Sequence, residues 1–358
     1  MHDVIVIGGG AMGSAAALAL TRAGREVLLL ERFWPGHDRG GSHGATRLFR
    51  LVYNEPDYIQ LARHALRLWR ELEAESGARL LTTTGAIDHG EPSLAGRAEL
   101  LGSQDVPFEI LDPASAQERW PGMTFETSVL HQPDGGRLHA DAAVNTLQRL
   151  AVLGGARIHF GQKVTGVTVV GDSVEVRTGD EVLAARHVVV TAGPWVPSLL
   201  RGVVDLPPLR VTQEQPAHFA VHTDLDWPSF VHWRREGAEC YGLFAPGEGV
   251  KVGFHGTGPV VDPDRRDFRA REDGLRELSE YVKRWLPGAD PDTCEPVSCL
   301  YDNTSSDDFV IDRVGPVTLA TGFSGHGFKF VPAIGELVAG LVTGTSSVPA
   351  RFTLAAHA

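Results

Sequence analysis

Cysteine is scarce in this chain. Cys240, Cys294 and Cys299 are the three among 358 residues, and no CxxC pair exists. An odd, sparse set argues against a disulfide framework and against a thiolate zinc site, so no metal is expected. Basic stripes are missing as well. The net charge is −12, which excludes the electrostatic footprint of a nucleic-acid binder. Acidity does not exclude a bound dinucleotide, because helix N-termini hold phosphates through free N–H groups. No apolar run is long enough to span a bilayer. The chain opens Met1-His2-Asp3 and enters an apolar strand at once. A secretory leader would begin with a basic stretch and end at small residues, so a cytoplasmic protein is expected, without membrane contact.

What is present is ordinary globular composition, 42% apolar and 22% charged, enough for one large domain or two intertwined ones. Val4 to Ile7 reads as a buried parallel strand, Ala11 to Ala23 as a helix stopped by Gly24, and Glu26 to Glu31 as a second buried strand. Together they form a βαβ unit. Leu61, Ala65, Leu68 and Leu72 give Asp57 to Gly77 a helical stripe. Asp141 is placed to cap a helix running to Leu153, with a strand over Ala156–Phe160, a hairpin at Gly171-Asp172 and a buried strand from Val188 to Gly193. A final helix is expected over Ile334 to Leu341.

The fold class expected is α/β, α+β overall. A Rossmann-like dinucleotide domain would comprise 1–80, 140–208 and 303–358. A substrate domain with a large mixed or antiparallel sheet would comprise 81–139 and 209–302.

Gly8-Gly9-Gly10-Ala11-Met12-Gly13 fits GxGxxG and lies between a strand and a helix, as the motif requires. Gly8 allows the tight turn, Gly10 lets the backbone approach a pyrophosphate, and Gly13 lets helix and strand pack closely. Glu31 ends the second strand, 18 residues after Gly13. Its carboxylate can accept from both ribose hydroxyls and would repel a 2′-phosphate. The motif admits FAD and NAD alike, so an NAD-dependent dehydrogenase or a plain nucleotide-binding module stays open at this point.

Three further segments carry a resemblance. They are Gly40-Gly41-Ser42-His43-Gly44-Ala45-Thr46-Arg47-Leu48-Phe49-Arg50, Val297-Ser298-Cys299-Leu300-Tyr301 and Gly322-Phe323-Ser324-Gly325-His326-Gly327-Phe328-Lys329-Phe330. With the N-terminal fingerprint they resemble the monomeric sarcosine oxidase and N-methyltryptophan oxidase family of D-amino-acid-oxidase-like flavoproteins. The resemblance spans nearly the whole chain. It implies a monomeric oxidase that takes FAD, a small-molecule secondary amine or N-methyl amino acid, and O2. The C–N bond is oxidised to an imine and O2 is reduced to H2O2. An oxidase or dehydrogenase of a cyclic imino acid or a biosynthetic amine is the alternative within the fold.

The same resemblance assigns roles. Cys299 would hold FAD covalently through the flavin 8α-methyl; from composition alone it reads as a small core residue. Lys251 would activate oxygen, although by pattern a lysine between valines reads as a solvated rim residue. His43, Arg47 and His255 complete the catalytic set. Arg50 and Lys329 would clamp the substrate carboxylate, with Tyr241, His255 and Tyr301 around the substrate. Gly8, Gly10, Ala11, Met12, Gly13, Glu31, Arg32, Ser42, His43, Thr46, Arg47, Val164, Ala192, Gly193, Trp195, Cys299, Gly325, His326, Gly327, Phe328 and Lys329 would surround the cofactor. Two departures from the family stand out. Asp302 replaces a usual threonine, and Val231 to Tyr241 keeps little of the family's pattern beyond Tyr241.

Overall fold

The computed structural model describes residues 1–90, 94–179, 181–222 and 226–358. Strand His2–Ile7, helix Ala11–Arg22 and strand Val27–Leu30 form the expected βαβ unit. The two strands pair in parallel from Val4↔Val27 to Ile7↔Leu30. Both are buried on both faces, which is why they read as unbroken apolar runs. Each such side chain contributes about 1.5–3 kcal/mol of burial. The helix stops where Gly24 enters the left-handed region at φ +75°.

These strands lie in an eight-stranded sheet. Its order is Val164–Val170, Ser173–Thr178, Glu181–Val190, His2–Ile7, Val27–Leu30, Arg157–His159. Val317–Thr321 joins in parallel beside Val188–Val190, and Val310–Val314 returns antiparallel to it. Helices Ala11–Arg22, Pro56–Ser76, Ala140–Leu153 and Val331–Thr343 contribute to the core on one face. In Pro56–Ser76, Leu61, Ala65, Leu68 and Leu72 are all buried.

A second eight-stranded sheet is mixed. It runs Glu295–Pro296, Ala217–Phe219, Gly249–Phe254, Cys240–Ala245, Ser229–Trp233, Ala86–Gly90, Val129–Gln132, Glu109–Leu111. Among the described residues only Ser229–Trp233 and Ala86–Gly90 pair in parallel; the other pairs are antiparallel. Helix Glu272–Trp285 packs on it through Leu278, Tyr281 and Val282. Two small sheets complete the frame: Arg210–Glu214 with Cys299–Asn303, and Gly136–His139 between Thr46–Phe49 and Leu81–Thr83.

Three expectations change. Asp141 does not cap its helix. The cap position is His139, and Asp141 sits in the first turn, where its carboxylate accepts from the Gly44 N–H at 3.1 Å. The last helix begins earlier, at Val331, because Pro332 sits in the first turn, where a missing N–H costs nothing. Lys251 is no rim residue: it is 7% exposed, flanked in the sheet by His218 and Leu243.

Candidate active site

The glycine turn needs its glycines. Gly8 has φ +102°, and a Cβ at Gly13 would collide with the Gly8 carbonyl oxygen. Gly10 precedes the helix without a side-chain cap, and the Ala11 N–H is met from outside by Ser42 Oγ at 3.0 Å. Glu31 is buried, with one carboxylate oxygen accepting from Gly9 N at 2.6 Å and the other from Phe33 N at 2.7 Å. It therefore ties the turn to the second strand. Each oxygen keeps lone-pair capacity for a ribose hydroxyl.

From this turn a cavity of about 990 Å³ runs through the molecule. All the predicted site residues line it except Gly13, which is packed behind the turn. Arg32, Ala192, Gly193 and Trp195 form one end. Arg32 is ion-paired to Asp264 at 2.5 Å and lies over Trp195, whose indole N–H also reaches Asp264 at 3.0 Å. Val164 opens its strand at a register shift nearby.

The middle of the cavity is cationic. Arg47 donates to the carbonyls of Gly41, His43 and Thr46 at 2.7–2.8 Å, so it holds its own loop in shape. Its guanidinium lies 5.5 Å from the Phe328 ring centroid. Burial, then Arg47, brings the Lys251 ammonium from 10.5 down to about 8, with Cys299 acting in the opposite sense. Among the described residues none accepts a hydrogen bond from its Nζ. Burial and the Arg47 charge lower His43 to about 4, so it is neutral at pH 7. Cys299 is half-buried, with Sγ 3.9 Å from the Gly41 carbonyl.

Two polar atoms here test whether a flavin fits. His43 Nε2 and Thr46 Oγ1 are buried and have no partner among the described residues. Leaving such groups unpaired costs about 1–3 kcal/mol each, and a heteroatom-rich ligand in the cavity would supply the partners. Backbone clearance agrees. Gly325 has φ +75°, and a Cβ there would strike the Tyr301 ring, while one at Gly41 would press on the Leu300 carbonyl. The residues present fit FAD.

Arg50, Tyr53 and Lys329 line the far end. Lys329 is 5% exposed, and its Nζ donates to Tyr53 Oη at 2.9 Å and the His326 carbonyl at 2.7 Å. Burial and the Arg50 charge push its pKa well down. Arg50 lies 5.0 Å from the Tyr53 ring centroid and donates to Asp88 at 3.1 Å and the Val52 carbonyl at 2.8 Å. Burial raises the phenol pKa values of Tyr241 and Tyr301, so both stay protonated and neutral. The His255 ring is 5.5 Å from Tyr301, and burial lowers its pKa to about 4. Asp302 is buried and accepts from Thr321 Oγ1 at 3.0 Å and Gly322 N at 2.8 Å. Its carboxylate thus anchors the start of the Gly322–Phe330 loop.

Sequence reasoning missed Tyr53, Asp88, Arg97, Trp233 and Glu239. Asp88 is fully buried and takes both Arg50 and the Trp233 indole N–H at 2.8 Å. Its partners are 38 and 145 residues away in sequence, so no local pattern exposes it. Trp233 and Glu239 fall in the stretch that departs from the family, which was the one available signal.

Comparison with known proteins agrees with this geometry. Residues 3–341 match the FAD dependent oxidoreductase (DAO) family. The monomeric sarcosine oxidase of Streptomyces avermitilis is 34% identical, over 97% of this chain and 95% of that protein. The N-methyl-L-tryptophan oxidase of Citrobacter koseri is 32% identical, over 96% and 95%. Among solved structures, NikD, an unusual amino acid oxidase essential for nikkomycin biosynthesis, superposes with a TM-score of 0.88 at 26% identity, covering 99% of this chain and 97% of that one. The choice between FAD and NAD left open by the glycine turn is thereby decided: the chain belongs to the FAD-dependent oxidoreductase family of D-amino-acid-oxidase type.

Proposed function

We propose that this protein is a flavin-dependent oxidase of secondary amino acids, N-methyl amino acids foremost, that returns the electrons to O2. One observation carries the reading. A single cavity joins the dinucleotide turn, the buried Lys251 and the Arg50–Tyr53–Lys329 clamp. The named activities of the sarcosine and N-methyl-L-tryptophan oxidases support the substrate class.

Residues 1–80, 140–208 and 303–358 would hold FAD, and 81–139 with 209–302 would cover the substrate. FAD, when bound, supplies a two-electron acceptor for the C–H bond beside the amine nitrogen and a donor of that pair to O2. The residues do the rest. Arg50 takes the substrate carboxylate by charge-assisted hydrogen bonds, and the arriving carboxylate favours the Lys329 ammonium that burial and Arg50 disfavour, which then has one proton left after Tyr53 and His326. Neutral His255 and the Tyr241–Tyr301 pair face the amine without adding charge, which favours the free-base form that can be oxidised. Lys251 keeps a positive charge where negative charge develops on oxygen. Arg47 fixes the loop that passes the cofactor, and the Cys299 thiol would carry the covalent link. The protein would act as a cytoplasmic monomer.

A peroxide-coupled assay with sarcosine, other N-methyl amino acids and proline tests the activity. Peroxide from N-methyl amino acids is expected; turnover of none of these substrates overturns the reading. For the link, flavin fluorescence should stay with the acid-precipitated chain and be lost in Cys299→Ser. Retention in that variant would rule Cys299 out.

A further inference from the structure

We propose that Arg97 seats a second acidic group, so that the substrate is a secondary amino acid carrying two carboxylates. This deepens the amine-oxidase reading and rests on it for the first carboxylate and the reacting nitrogen.

Arg97 sits on helix Ala95–Ser103 and lines the same cavity as the clamp. It is 7% exposed. Its Nε donates to Asn54 Oδ1 at 3.1 Å, and its guanidinium carbon lies over the Trp233 ring, 3.7 Å from the centroid. Nη1 is buried and has no hydrogen-bond partner among the described residues. A buried guanidinium with an unpaired Nη1 is costly unless something else fills that position. Among the described residues nothing hydrogen-bonds Nη1. The nearby carboxylate of Asp88 is already committed to Arg50 and to Trp233.

The placement is specific. Trp233 is pinned through its indole N–H to the same Asp88 oxygen that receives Arg50. Arg50 lies 5.7 Å from that indole centroid and Arg97 3.7 Å. Two guanidinium groups are thus mounted on one aromatic plate held by one buried carboxylate. Arg50 with Lys329 takes the carboxylate next to the amine, and the Arg97 fork offers two parallel N–H donors to another acid a short spacer away. Glu239 faces the same space, and burial raises its carboxyl pKa. It can accept a proton when a second acid settles beside Arg97, which removes the repulsion that would otherwise oppose binding.

The test uses the flavin-loaded enzyme. N-Methylglutamate and N-(2-carboxyethyl)glycine place the second acid on the side chain and on the nitrogen substituent, respectively. N-Methylglutamine is the neutral isostere of the first. The better diacid should exceed N-methylglutamine by at least tenfold in kcat/KM. Arg97→Gln should erase that preference mainly through KM, bringing kcat/KM for N-methylglutamate and N-methylglutamine within about threefold of each other. Equal turnover of acid and amide in the wild type, or an equal loss for both in Arg97→Gln, overturns the proposal. Binding of glutarate against glutaramate, read by perturbation of the flavin absorbance, needs neither turnover nor a variant. A tenfold preference for glutarate is expected, and equal binding refutes the Arg97 seat even if N-methyl amino acids are oxidised. A glutarate preference without turnover of any amine sustains the seat and sinks the amine-oxidase reading instead.

Discussion

Replacing Lys251 by methionine should make the protein more stable and a poorer oxidase. Burial and Arg47 bring the ammonium from 10.5 to about 8. At 1.36 kcal/mol per pH unit, keeping it charged costs on the order of 3 kcal/mol of folding free energy at pH 7. The direction with pH follows from the lowered value. Below pH 8 the lysine is charged in both folded and unfolded chains, and the cost is fully present. Between pH 8 and 10.5 the folded lysine loses its proton while the unfolded one keeps it, so stability rises with pH. Above that window the cost is gone. Methionine fills nearly the same space without the charge. Denaturant titrations of wild type and Lys251→Met from pH 7 to 10.5 should therefore show an advantage of about 3 kcal/mol for the variant that shrinks to almost nothing. Reoxidation of the reduced enzyme by O2, followed by stopped flow, should fall by about 10²–10³-fold, the usual cost of removing a group that stabilises developing charge. A stability difference that stays flat across this window would refute the electrostatic argument. An unchanged oxygen rate would refute the catalytic one.

Asp88→Asn should cost about 3–5 kcal/mol in thermal or chemical unfolding, because it leaves the Arg50 guanidinium buried without its counter-charge. KM for the amino-acid substrate should rise with it; unchanged stability and KM would show that Arg50 does not depend on Asp88. Gly325→Ala puts a methyl group into the Tyr301 ring at φ +75°, so a loss of about 1–3 kcal/mol and weaker flavin retention are expected. Wild-type melting and a full flavin complement in that variant would contradict the close approach. His255, lowered to about 4, is neutral at pH 7. Between pH 5.5 and 8, the pH profile of His255→Asn should therefore keep the wild-type shape. Loss of a limb near pH 6.5 in the variant would show that the histidine titrates.

Legibility of the sequence followed distance along the chain. Gly8, Gly10, Gly13 and Glu31 serve one turn and two adjacent strands, so a short window carried their whole meaning. Arg47 and Arg50 were placed in the cavity through a family-like segment, but what each one holds was not visible. Arg47 grips its own loop carbonyls, and Arg50 leans on an aspartate from another sheet. Lys251 misled by pattern alone, because alternation in a strand shows which residues share a face but not whether that face meets water or another part of the fold. Arg97 carried no local signal. Its burial comes from Trp233, a residue brought over it by a parallel strand pair between Ala86–Gly90 and Ser229–Trp233.

Anaerobic mixing of the purified, flavin-loaded protein with an N-methyl amino acid, followed by admission of oxygen, tests the central claim most directly. The flavin absorbance should bleach without oxygen, recover when oxygen is admitted, and leave one H2O2 for each amine oxidised. Flavin that stays oxidised with every secondary amino acid, or that bleaches with NADH instead, would contradict it.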